Sequence, residues 1–459
     1  MMAAIACLLL AVVPARAFSL LGPFAAYQAT AIGYNLSIIG VETGGPMNLS
    51  EEYRWNVPTL NYAFDSSFLN YFGQDGVTAV TEAMTILNAI PGASSMTPTL
   101  TEFPLSSKGP QNFKAGNLGI LDLRSTTLGI VLSQMGLGNP ERWTWCLRDR
   151  QTPAGSTNYL VVQRNFDPVT WVPTNVVNGT LYTYEVHDPV FTPPSTTYAD
   201  AIEMRVDSLA TEFTSVAGVE NPDPAQVGNL QAGEYYTGIT RDDAGGLRYL
   251  LRRGNFNIEA TLGDVVLDTN FVSSPFGAPP GVTNSANTNV LVATALRPGI
   301  DKVNLSRVNF DSLLGTTFST TNQYTDSYVT NGVVTNQVVR RIVIAPDIVF
   351  TAADLGTVGG GSSAPFSILR TTTSGWTDNS ALNTVGPFGG TLDGPGVIQP
   401  SIQITFSRVG PHIINSTPFF LREATGFRGF TWGYFDTTTI FAVFPNGTTI
   451  QALESQVGQ

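Results

Sequence analysis

Along most of the chain, apolar residues come in short runs rich in β-branched and aromatic side chains. Gly, Pro, Asn and Asp punctuate them. The runs YLVVQRNF (159–166), TLYTYEV (180–186), RYLLRRGNFNIEA (248–260), NVLVATAL (289–296), QVVRRIVIA (337–345), SIQITFSRV (401–409) and TTIFAVFPNGTTIQAL (438–453) all have strand character. In the last, Asn446-Gly447 stands between two strand-like halves and predicts a type I′ hairpin. A helical period is clearest over residues 76–90, where Val77, Val80, Met84 and Leu87 share one stripe. Asp75 is its expected N-cap, and Pro91-Gly92 stops it. Two more stretches read as helices, LRSTTLGIVLSQMG (123–136) and YADAIEMRVDSLATEF (198–213). The pattern predicts a mainly β protein with a few helices, built of β-sandwich-like domains.

The N-terminus breaks this pattern. Residues 1–17 carry an apolar run from Ala3 to Val13, then Pro14 and Ala15-Arg16-Ala17, which reads as a secretory signal peptide cleaved before Phe18. No charged residue occurs from Phe18 to Val41. Residues 18–45 are therefore expected to form an apolar arm that cannot stay in water. It either completes its own domain or adds as a strand to a neighbouring subunit through Leu20, Leu21, Phe24, Ile32, Ile38 and Ile39. Breaks near residues 225, 280 and 360 are Pro/Gly-rich. The expected division is a strand-rich body over 46–345 and an all-β, immunoglobulin-like sandwich over 346–459.

Composition narrows the function classes. The formal charge is −12, with 23 Lys and Arg against 35 Asp and Glu, and Lys108, Lys114 and Lys302 are the only lysines. Such a surface repels a polyanion, so nucleic acid is not an expected partner. No stretch after the leader is long and apolar enough to suggest a transmembrane segment. Beyond the leader Cys146 is the one cysteine, in RWTWCLRD between Trp143, Trp145 and Leu147. It reads as a small buried hydrophobe, and no internal disulfide is expected.

Candidate chemistry is sparse. A strand followed by a helix near residue 60 resembles the opening of secreted zincin metalloproteases. The protease motif needs two His one helical turn apart with a Glu between them, and His187 and His412 do not supply it. No zinc or other cofactor is expected. The Gly-rich GTVGGGSSAPF (356–366) has no Lys-Ser/Thr after it and reads as a connection. Asp242-Asp243 in TRDDAGGLRY reads as a solvated hairpin turn, and Glu51-Glu52 as a short capped turn. Glu185, His187 and Asp188 look like an acid–base cluster, but on a strand Glu185 and His187 share a face and Asp188 points away. Asn35, Asn48, Asn178, Asn304, Asn415 and Asn446 each open an N-x-S/T sequon and are candidate glycosylation sites.

The runs GGPMNLSEEYRWNVPTLNYAFDSSFLNYFG (44–73) and YLVVQRNFDPVTWVPTNVVNGTLYTYEV (159–186) resemble a group of large, uncharacterised exported proteins of environmental bacteria. The uncharged arm followed by Thr/Asn/Gly-rich strands is similar to subunits of extracellular bacterial filaments. That resemblance implies a secreted, non-enzymatic structural protein at the cell surface, whose partners are copies of itself joined by strand insertion into a homopolymer. The alternative is a secreted glycan-active enzyme or carbohydrate-binding protein, with acidic residues and Trp171, Trp376 and Trp432 forming the site.

Overall fold

The computed structural model describes residues 17–22, 45–151, 156–188, 199–210, 215–217, 230–268, 290–352, 355, 402–406, 411–414 and 431–457, with short paired strands elsewhere between 365 and 420. Strands dominate, arranged in several small sheets with few helices, so the protein is mainly β as its periodicity predicts.

At the centre is a five-stranded sheet in the order Asn304–Arg307, Thr59–Phe64, Ile348–Thr351, Ile402–Phe406, Pro411–Ile414. Its first four strands run parallel, and only the last pair is antiparallel. Parallel neighbours cannot be joined by tight hairpins, so long excursions of chain connect them. Ile348-Val349-Phe350 is accordingly apolar without alternation and buried throughout. Much of the expected module over 346–459 lies outside the described residues, but its first strand is shared with the body. Ile348–Thr351 pairs with Thr59–Phe64 and belongs to one core with it, so a boundary at 346 would cut the central sheet.

The helix Ser66–Ala89 packs against this sheet. It starts ten residues before the expected position, because Asp65 accepts the Phe68 N–H at 2.8 Å and acts as the N-cap in place of Asp75. Gly73, at φ 59° and ψ −156°, breaks it into two segments, and the Asn446 side chain fills the space beside that glycine. The first segment delivers Phe68 and Phe72 into an aromatic cluster. Ring centroids lie 4.9 Å apart for Phe64–Phe68, 4.7 Å for Phe68–Phe72, 4.9 Å for Phe72–Phe444 and 5.3 Å for Phe406–Trp432.

Other expectations divide by local chemistry. Leu123–Gln134 is a helix as its sequence indicates, capped by Asp122. Arg241–Leu251 is also a helix, where a solvated turn around Asp242-Asp243 was expected. A capping box decides it: the Thr240 hydroxyl and the Asp243 carboxylate each satisfy the other's backbone N–H, and both aspartates are buried. Asp200–Arg205, inside the third helical candidate, is instead a strand paired with Thr180–His187. Asn446-Gly447 forms no hairpin, since Thr448 N–H closes a turn onto Pro445 O and the helix Ile450–Val457 follows. The Asn-Gly hairpin turn occurs at Asn178-Gly179 (φ 46° and 87°) and at Asn331-Gly332 (φ 51° and 75°).

Candidate functional site

The start of the apolar arm is committed to the chain's own core. Phe18–Gly22 is a strand whose residues are all buried, antiparallel to Gly45–Pro46, Leu137–Gly138 and Asn165–Phe166. The Phe18 ring lies 6.0 Å from Phe166 and 5.9 Å from Tyr249. Leu20 and Leu21 are core residues here, which corrects their reading as side chains offered to a neighbour. The physical reason is that the sheet supplies both backbone partners and an apolar floor within one chain. Phe24, Ile32, Ile38 and Ile39 lie outside the described residues, as do Asn35, Asn415 and Trp376.

The acidic candidates resolve into structural roles. Glu185 and His187 share the exposed face of Thr180–His187, while Asp188 accepts from Arg150 at 3.0 Å and from the Tyr159 hydroxyl at 3.0 Å. The three are not brought together. Asp243 binds the backbone N–H groups of Val216 (3.1 Å) and Ala217 (2.9 Å) besides capping its helix. Glu51 accepts the Asn48 N–H at 3.1 Å in the expected turn. Glu52 is fully buried beside Asn255, and burial raises its carboxyl above the usual range against the opposing pull of Arg54 and Arg252. Among the described residues, no group of three or more His, Cys, Asp or Glu side chains is placed to hold a metal ion.

One carboxylate that sequence reasoning missed joins four elements. Asp122 ends the strand Ile120–Asp122 and accepts from Ser125 N (2.9 Å) and Ser125 Oγ (2.5 Å). Ser125 Oγ in turn accepts the Tyr236 N–H at 2.7 Å. Arg124 Nε stands 4.0 Å away and its Nη1 reaches Glu82 on the long helix at 3.1 Å, with the guanidinium over the Tyr434 ring. Complete burial pushes the Asp122 carboxyl up to about 6, and Arg124 and Ser125 oppose that rise only partly. The readable signal was D-L-R-S, an N-cap Asp three residues before a Ser in a helical stretch.

Two of the three tryptophans read as a glycan site, Trp171 and Trp432, pack against the chain itself. Trp432 is in the core, and Trp171 makes an edge contact with Tyr249 at 5.7 Å while Arg252 lies 4.2 Å over its ring. Cys146 is buried in a small cluster with Trp143, Leu147, Ala199 and Ala201. Of the described sequon residues, Asn304 and Asn446 are exposed, and Asn48 and Asn178 are half-buried in turns.

What remains is surface. The sheet of Val176–Val177, Thr180–His187 and Asp200–Arg205 has one face packed on Cys146–Gln151 and its neighbours through Tyr182 and Ala201. Its other face is open. Thr183 is opposite Met204 and Glu185 opposite Ile202, while Val206 N–H donates to Leu181 O at 3.0 Å and Leu181 is opposite Val176. Leu181, Ile202 and Met204 are each 46% exposed and Val206 is 57% exposed, all on that one face. This is a contiguous apolar strip and not a scatter of single residues. No protein-family model, curated protein or solved structure matches the chain.

Proposed function

We propose that this protein is a non-enzymatic structural subunit of an exported, extracellular assembly, and that it associates with copies of itself through open strand surfaces. The observation that carries this reading is the apolar strip Leu181–Ile202–Met204–Val206. A sheet face that alternates polar and apolar toward water needs no partner, whereas one lined with four large apolar side chains gains by being covered. The apolar leader ending at Ala15-Arg16-Ala17 supports export, and the acidic, Lys-poor composition argues against a polyanionic partner.

The magnitude limits what the strip can do alone. Covering the remaining half of four such side chains contributes about 3–6 kcal/mol, taking ~1.5–3 kcal/mol for a full burial. Bringing two bodies together costs about 4–15 kcal/mol. A stable assembly therefore needs more than one contact per subunit, as a polymer provides. Negative-stain microscopy of the native purified material tests this. Fibres or a regular array are expected, and discrete particles at every concentration would overturn it. Met204→Asp, which sets a carboxylate in the middle of the strip, should weaken assembly without lowering the melting temperature.

A further inference from the structure

A second surface indicates how copies could join. Thr320–Thr330 and Val333–Val343 form a long antiparallel ribbon closed by Asn331-Gly332, and Val265–Leu267 pairs only with the base of the second strand. In the sheet order Val265–Leu267, Val333–Val343, Thr320–Thr330, the last strand is an edge. Two hydrogen bonds reveal which of its backbone groups face outward. Asp268 N–H donates to Val338 O and Ile342 N–H donates to Asp264 O, so the even residues of Val333–Val343 turn their polar groups away from the ribbon partner. Val338 is opposite Thr325. In an antiparallel pair, residues directly opposite each other turn the same way. Thr321, Gln323, Thr325, Ser327 and Val329 therefore present their N–H and C=O groups along the outer edge, where no strand among the described residues pairs with them.

Edges this long are normally guarded by a charge, a proline, a bulge or a covering element. Here the strand carries one of these, an inward-pointing charge, and none of the guards that its own sequence would set on the outer edge. The strand TTNQYTDSYVT contains no Lys, Arg, Pro or Gly. Its one charged residue, Asp326, points inward and is held by Arg297 at 2.9 and 3.0 Å and by Gln337 at 2.7 Å. Two shorter edges carry charge: Asn304–Arg307 exposes Arg307, and Asp200–Arg205 includes Glu203 and Arg205.

We infer that Thr320–Thr330 is an acceptor edge for the same strand of a second copy, added antiparallel about a two-fold axis at Thr325. A row of outward backbone donors and acceptors can be satisfied in full only by another extended strand, which fixes the chemistry of the partner. The two-fold choice follows from self-complementarity. With Thr325 opposite Thr325 of the second copy, Gln323 meets Ser327 and Thr321 meets Val329, and every such pair is outward-facing on both strands. No like charges are juxtaposed, and the Thr–Thr pair is a favourable cross-strand contact. In a chain of net charge −12, an uncharged edge is also where two copies repel least. This contact rests on the structural-subunit reading and supplies the second contact that the apolar strip requires.

The test is sedimentation equilibrium of the purified full chain across a range of concentrations, with circular dichroism melts in parallel. Thr325→Pro removes an outward N–H that only the partner would use, and Thr325→Lys sets two ammonium groups opposite each other across the axis. Both variants should melt like the wild type yet dissociate at least about tenfold more readily. An equimolar mixture of Thr325→Lys and Thr325→Glu should recover the association, because only a pairing of 325 with 325 puts the two charges together. Should Thr325→Pro lose its cooperative melt, the Lys and Glu variants carry the comparison. Wild type that associates while the variants associate equally well overturns this edge and leaves the structural reading standing. Wild type that stays monomeric throughout overturns both.

Discussion

Replacing Asp122 by Asn should make the stability of the protein less dependent on pH between about 4 and 7. Asp122 is fully buried, and burial raises its carboxyl from 3.8 to about 6 in the folded chain. A group whose folded pKa is raised binds its proton more tightly in the native state. Its contribution is thus fully present below the unfolded value near 3.8 and is lost as pH rises through about 6. The displacement of roughly two units corresponds to about 3 kcal/mol, at 1.36 kcal/mol per unit. Asn is a neutral stand-in for the protonated acid and can still accept the Ser125 N–H at the helix N-terminus, so the cap survives. The expected outcome, in urea unfolding at several pH values, is that wild type gains on the variant by about 2.4 kcal/mol as pH falls from 7 to 4. Burial also raises Glu51, Glu52 and Asp243 in both proteins, so these cancel in the difference. Parallel stability curves for the two proteins would refute the argument. They would mean that Arg124, Ser125 and the Phe435 backbone hold the Asp122 charge without cost.

The remaining predictions concern the core, a cap and the thiol. Leu20→Ala should cost about 2–5 kcal/mol in chemical unfolding, since Leu20 is fully buried in the chain's own sheet; an unchanged midpoint would restore the arm as a detachable element. Asp243→Ala removes a capping-box partner and leaves Val216 and Ala217 N–H groups without their acceptor, so a loss of about 1–3 kcal/mol is expected from thermal melts fitted at matched pH. Cys146 should react slowly with a thiol reagent until denaturant is added, because Trp143 and Leu147 enclose it; rapid labelling of native protein would contradict its burial.

What the chain carries locally can be read locally. Strand character, the Asp122-capped helix and the stop at Pro91-Gly92 each depend on residues within a few positions of one another. The capping box at Thr240–Asp243 is equally local, but adjacent aspartates close to two glycines suit a turn as well, so the signal is ambiguous without the tertiary contacts. Asn-Gly dipeptides show the limit of such signals. Three occur at strand-like runs, and two turn hairpins, but at Asn446-Gly447 the packing of the Asn446 side chain beside Gly73 goes with a turn into a helix. Local periodicity was enough for the mainly β class. Tertiary structure alone decided that Phe18–Gly22 pairs within its own chain, that Asp200–Arg205 extends beside Thr180–His187, and that strands 304–307, 59–64, 348–351 and 402–406 lie parallel in one sheet. Those outcomes depend on which distant segment offers an apolar face and unpaired backbone groups at the right place, and a local pattern contains no record of its partner.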